Sequence, residues 1–226
     1  MKPLIEILNE QQLKFSTYYH GTSNQKAGEK ILQEGIKPGR VTTSRKQGAP
    51  VANKVYMTPN LKQGIIYCLG ANMLGKDISS LIKYEGQNGY LFSISKNKLI
   101  NDLQPDEDDI GYLLNYLFKG EHYGMNIKIH NQDFSWLKTM AKNKLTYLQL
   151  QKLSGFVDND YQLYAIGKKL VKFMNTEQKL QLINSGANVA HSGIINPEHA
   201  WKFNKLKSTE LEENGLNFFE LAEQIK

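Results

Sequence analysis

The strand-like runs in this chain are short, and nothing regular separates them. They fall at 16–20, 54–57 and 89–95, and again within 188–206 around Ile194-Ile195 and Trp201 to Phe203. A doubly wound parallel sheet needs strands that alternate with crossover helices at a steady rhythm, and this order lacks it. The pattern predicts an α+β fold with a small mixed sheet flanked by helices. Helical periodicity occupies most of the remainder. Residues 3–13 place Leu4, Ile7, Leu8 and Leu13 near one face. Ser23 or Asn24 can cap a helix that runs to about Gln33 and stops at Gly35, with Ala27, Ile31 and Leu32 inward. Further helices are expected over 61–73, 108–118, 134–153, 160–173, 176–183 and 208–225. Residues 37–53 have no periodicity and read as a mobile basic loop carrying Lys37, Arg40, Arg45 and Lys46.

A chain of 226 residues suits one large domain, or one domain with a substantial insertion. No apolar run approaches the roughly 18 residues that span a bilayer, so no membrane association is expected. Glu6 and Glu10 interrupt the N-terminal apolar pattern, which reads as an amphipathic helix rather than a signal peptide. The lone cysteine, Cys68, excludes an intrachain disulfide and a Cys-based zinc site, and makes a reducing, cytoplasmic setting the default. Lysine supplies most of the net charge of +6. That balance favours an anionic partner, either nucleic acid or a phosphate-bearing cofactor. A solvated lysine-rich surface is the plainer account of the same charge.

Several chemistries have no motif here. There is no GxxxxGK[ST], no GxGxxG after a strand, no HExxH and no GxSxG. The five histidines, His20, His122, His130, His191 and His199, show no metal-ligand spacing. The acidic run Asp106 to Asp109 reads as helix capping. Tyr112, Tyr116, Trp136, Tyr147, Tyr161 and Tyr164 fall at helical spacings and read mostly as core.

The stretch Tyr18-Tyr19-His20-Gly21-Thr22-Ser23 stands apart. Its first residues suit a strand, but His-Gly-Thr does not extend one. A second short strand, Lys54 to Met57, ends in Thr58-Pro59 and opens a helix carrying Tyr67, eleven residues after Tyr56. A histidine at one strand end, a tyrosine at the next and a second tyrosine on the helix behind can form three walls of a cleft. An aromatic face stacks a flat ring, an imidazole or hydroxyl binds ribose hydroxyls, and a bare glycine backbone binds an amide. That set suits a nicotinamide riboside.

These residues carry a resemblance. YHGTS, a helix ending in EGIKPG, a loop, then VYMTPN with IIYC downstream, resembles the ADP-ribosyltransferase fold in its His-Tyr-Glu branch. That branch includes the poly(ADP-ribose) polymerases and the RNA 2′-phosphotransferases. GYLFSIS with LQPDEDD is similar to its third strand and acidic turn, and SGIINPEHAW to its last core strand. The resemblance covers about 16–70, 89–108 and 188–203, and implies a small split mixed sheet within a single domain over 1–226. Residues 109–187 lie outside it and read as a helical insertion or accessory lobe. The resemblance implies that His20 and Tyr56 hold the nicotinamide ribose, Gly21 the carboxamide and Tyr67 the ring. It puts Thr22 and Ser23 near the adenosine, and Lys37 and Arg40 at the pyrophosphate.

One position departs from the family. The catalytic glutamate usually lies about five residues before the glycine of the last motif, and with Gly193 as anchor that place is Asn188. An amide can bond a ribose hydroxyl but is no base at neutral pH. Many family members lacking the glutamate are mono-transferases or inactive, so the resemblance disfavours polymer synthesis. Glu198 is the alternative if the register differs, and its Pro-Glu context looks structural.

The implied function is an NAD⁺-dependent mono-ADP-ribosyltransferase, with NAD⁺ as substrate and a macromolecular acceptor. The lysines between Lys138 and Lys172 tilt the acceptor towards RNA or DNA over protein. Family members of this kind are often toxins, defence factors or phage-encoded modifiers, a role that brings an inhibitory or antitoxin partner. Two alternatives stand beside it. One is a catalytically silent protein whose cleft binds NAD⁺, ADP-ribose or a partner. The other is an RNA 2′-phosphotransferase, for which the added basic pattern near the first motif is not evident.

Overall fold

The computed structural model describes residues 13–38, 54–69, 88–99, 103–120, 127–129, 132–154, 160–204 and 218–226. All but the last residue of the helix expected over 3–13, and most of the basic loop expected over 37–53, lie outside them. The elements in chain order are β1 (Thr17–Thr22), α1 (Gln25–Glu34), β2 (Val55–Met57), α2 (Leu61–Leu69) and β3 (Asn88–Ser95). They continue with β4 (Gln104–Pro105), α3 (Glu107–Lys119), α4 (Ser135–Lys144), α5 (Tyr147–Ser154), α6 (Asp160–Leu170) and α7 (Thr176–Asn184). The last are β5 (Val189–His191), β6 (His199–Asn204), α8 (Phe218–Leu221) and β7 (Ala222–Gln224). The protein is α+β. Two compact units divide the described residues, one within 13–99 and 191–226, the other within 103–190.

The first unit is built on a four-stranded sheet in the order β1-β3-β6-β7. Every pairing in it is antiparallel, so this sheet is not the mixed one expected. Cross-strand partners share a face. Tyr18, His20 and Thr22 stand opposite Ile94, Phe92 and Tyr90 on one face, while Tyr19 and Gly21 lie with Ser93 and Leu91 on the other. Helix α1 covers the first face. Asn24 caps it, its side chain accepting from the Ala27 N–H at 3.1 Å, and Gly35 ends it at φ 76°. Its buried residue is Gly28, where a Cβ would strike the Tyr90 ring. Ala27, Ile31 and Leu32, expected inward, are only half-buried.

Helix α2 covers the second face, with Cys68 and Leu69 packed on Leu91, Phe203 and Phe218. Trp201, Leu221 and Ala222 extend that cluster. Residues 222–224 form a strand on the edge of β6, where a helix to 225 was expected. Among the described residues one helical turn, Phe218–Leu221, precedes it. Its Phe218 packs on Phe203 at 5.1 Å between ring centroids, which seats the chain beside the open edge of β6. Ile195, expected within a strand, makes a single bridge to Ile36 (2.7 and 2.9 Å).

The second unit is a helical core with one short antiparallel pair, β4 with β5. Helices α3 and α6 cross at two glycines. A Cβ on Gly111 would meet Leu163, and one on Gly167 would meet the Glu107 carbonyl. Their approach buries Ile110, Leu113, Leu114, Leu163, Ile166 and Leu170 completely or nearly so. The expected helix over 134–153 is two helices. Thr146 and Gln149 bond each other's backbone N–H at 3.1 and 3.3 Å, a capping pair that starts α5 afresh after Leu145. Tyr147, expected in the core, is 78% exposed as a result.

Candidate functional site

Strand β1 does not end at His20. It runs through Thr22, and the His-Gly-Thr stretch stays paired with Phe92, Leu91 and Tyr90 of β3. What ends there is its pairing on the opposite edge. Tyr19 exchanges both backbone hydrogen bonds with Thr58, at 2.8 and 2.9 Å. A continued antiparallel ladder would set Gly21 opposite Tyr56. Instead the Tyr56 carbonyl lies 2.9 Å from the His20 Nδ1. The imidazole takes the acceptor that the Gly21 N–H would have used, and the two strands splay. Alternation along β1 turns the N–H and C=O of Gly21 to the same edge as those of Tyr19. Among the described residues neither group has a partner there.

The tautomer of His20 follows from its partner. A carbonyl only accepts, so Nδ1 carries the proton. Burial pushes the imidazole below its ordinary range, and the bond to the Tyr56 carbonyl offsets part of that. The ring is therefore neutral at neutral pH, and its Nε2 presents a lone pair. His20 offers this site an acceptor and no positive charge.

Tyr67 stands on α2, which lies against Gly21 from the other face of the sheet. A Cβ on Gly21 would lie 2.6 Å from the Cys68 N and 2.9 Å from the Tyr67 Cβ. Gly21 is thus a packing requirement before it is anything else, because only a residue without a side chain lets α2 lie flat on β1. Gly64 repeats the device from the helix side, where a Cβ would lie 2.8 Å from the Tyr19 Cβ. Gly89 does so on β3 against Cys68. Sequence reasoning passed over Gly64, although a glycine inside a helix costs about 1 kcal/mol against alanine and is its own signal.

Four of the expected site residues therefore meet at one place: His20 on Tyr56, and Gly21 under Tyr67. The others stand differently. The Thr22 hydroxyl oxygen accepts from the Asn24 N–H at 3.3 Å and so belongs to the turn into α1, as does Ser23 beside it. Lys37 lies 2.6 Å from the Glu34 carboxylate, whose proton affinity it lowers. Arg40 lies outside the described residues. Glu198 pairs with Lys98 at 3.7 Å, and its backbone N–H is bonded to Ser93 at 2.9 Å, a surface arrangement. His191 takes the Gly193 N–H on Nδ1 at 2.9 Å and serves the local turn.

Asn188 belongs to the second unit, just before β5. It is buried, its backbone N–H donating to the Asp109 carboxylate at 2.6 Å and its carbonyl accepting from the Asp106 N–H at 2.8 Å. Asp109 is one of the four acids the sequence reads as helix-capping charges. Burial, with the Asp106 charge adding to it, pushes its carboxyl up to about 8, while the bond from Asn188 opposes the shift. Among the described residues no three His, Cys, Asp or Glu side chains cluster to hold a metal. No described helix is long and apolar enough to cross a membrane. No protein-family model, curated protein or solved structure matches the chain.

Proposed function

We propose that this protein is an NAD⁺-dependent mono-ADP-ribosyltransferase of the His-Tyr-Glu type, with a macromolecular acceptor. The observation that carries the reading is the splay at Gly21. The Gly21 N–H and C=O, without a partner on that edge among the described residues, match the donor and acceptor of a carboxamide, as they would the next residue of a strand. The neutral His20 accepts a hydrogen bond from a ribose hydroxyl through Nε2, and Tyr56 stands beside it. Tyr67, seated on Gly21, provides a ring for nicotinamide to stack on. A neutral imidazole also suits the step itself. Positive charge develops on the ribose as nicotinamide leaves, and an imidazolium at that place would oppose it.

In this reaction the glycosidic bond between C1′ and the nicotinamide nitrogen breaks. The electron pair leaves with nicotinamide, and an acceptor nucleophile forms a new bond at C1′ and gives up its proton. The test is nicotinamide release from NAD⁺, with total protein or total RNA as acceptor, in wild type, His20→Ala and Tyr67→Ala. Release that falls at least tenfold in both variants supports the reading, and the fraction that becomes labelled identifies the acceptor class. NAD⁺ binding without release under any condition favours the second reading, a silent binder. That reading draws on Asn188, an amide where the family has its glutamate.

A further inference from the structure

A corner of the second unit joins exposed rings to lysines that form no ion pair among the described residues. Tyr147 is 78% exposed, Leu148 67% and Phe173 47%. Tyr147 and Leu148 start α5 and Phe173 lies in the turn after α6, and two contacts tie these segments to their neighbours. The Lys144 Nζ at the end of α4 lies 4.9 Å from the centre of the Phe173 ring, in the turn after α6. The Lys169 Nζ on α6 donates to the Gln149 Oε1 on α5 at 3.2 Å, and Gln149 is in turn bonded to Thr146, next to Tyr147. Lys172 is exposed one residue from Phe173. There is no Asp or Glu in 134–157 or in 161–176. Among the described residues none of these lysines forms an ion pair.

We infer that this corner, Lys144, Tyr147, Leu148, Lys169, Lys172 and Phe173, is a docking face for single-stranded nucleic acid. Charge complementarity selects an anionic partner. The rings select among anions, because an exposed aromatic face beside an ammonium group stacks an unpaired base while the ammonium meets its phosphate. A duplex hides those base faces. An anionic membrane is the poorer match, because insertion needs a continuous apolar helix face, and α5 is eight residues long with a single exposed leucine next to its tyrosine. The inference does not depend on the transferase reading, since it concerns binding by residues of the second unit alone.

The test is fluorescence anisotropy of the full-length protein with a labelled oligouridylate of roughly 12 nucleotides, a length within the usual single-strand site sizes. A duplex of equal length and phosphatidylserine vesicles serve as rival ligands. Tyr147→Ala with Phe173→Ala should weaken oligouridylate binding by about tenfold or more, from stacking alone. Lys144→Gln, Lys169→Gln and Lys172→Gln together should reduce the slope of log affinity against log salt by about 2, near 0.7 for each phosphate no longer neutralised. Tyr147→Ala alone, at the most exposed position, keeps the test sound if the double ring variant fails to fold. The inference is overturned by no oligouridylate binding at low salt, by unchanged affinity in every variant, or by vesicle binding that these variants abolish while the oligouridylate stays unbound.

Discussion

Both units of this protein rest on glycines that let backbones touch, and they use them to opposite ends. In the second unit Gly111 and Gly167 bring two helices together, and the result is a closed apolar core. In the first, Gly21, Gly64 and Gly89 press α2 onto β1 and β3 just where β1 loses its neighbour at Gly21. There the close approach borders a strand edge at which, among the described residues, the Gly21 N–H and C=O have no partner. The lesson is that glycine at a close contact says only that two backbones meet. Whether a closed core or an open strand edge results depends on whether the polar backbone groups at the contact are already paired.

The sharpest way to break the comparison is to add a methyl group in each unit. Gly167→Ala and Gly21→Ala should each cost about 2–3 kcal/mol in urea unfolding, since both crowd backbone atoms that cannot move alone. Only Gly21→Ala should also abolish NAD⁺ binding. If Gly21→Ala unfolds at the wild-type midpoint, the packing of α2 on β1 is wrong.

The two units should also answer pH in opposite directions. Asp109 has a folded-state value raised from 3.8 to about 8, so it supports stability at low pH and withdraws that support as pH rises towards 8. Asp109→Asn keeps an acceptor for the Asn188 N–H and should flatten that decline. His20 is lowered from 6.5, so its support is present above that value and is lost as pH falls below it. Thermal melts between pH 5 and about 8.5 would check both, and a decline with rising pH that Asp109→Asn leaves intact would remove Asp109 from the account.

A smaller effect is expected at Tyr18. Its hydroxyl is fully buried and has no hydrogen-bond partner among the described residues, and burial holds its proton well above the ordinary range. Tyr18→Phe should therefore stabilise the first unit by about 1 kcal/mol in urea unfolding. The smallest effect belongs to Glu198→Gln, which removes an exposed ion pair with Lys98 and should change stability by under about 0.5 kcal/mol. It should leave nicotinamide release unchanged, and a large loss of release would move the catalytic carboxylate to Glu198.

What was legible in the sequence was local. Asn24 before a helix and Gly35 after it, or Asp106 before an apolar run, act within a few residues, and each stands where its chemistry requires. That His20, Tyr56 and Tyr67 gather near one strand end was expected from a histidine on one strand, a tyrosine on the next and a tyrosine eleven residues on, and the structure sets His20 on the Tyr56 carbonyl and Tyr67 against Gly21. What was not legible depends on distant partners. His-Gly-Thr stays in a strand because β3 and α2 hold it there, and no local preference says so. Residues 222–224 pair with β6 because that edge is open. The exposure of Tyr147 follows from a helix break between Leu145 and Tyr147, where the apolar spacing runs on unbroken. Asp109 reads as one of four equivalent acids until the fold buries it against Asn188.

The most direct measurement is calorimetric titration of the wild-type protein and Tyr67→Ala with NAD⁺. Saturable one-site binding that weakens at least tenfold in the variant is the result the account predicts. No binding by the wild type, or equal binding by both proteins, would contradict it and reduce the splay at Gly21 to an irregular end of a β-ladder.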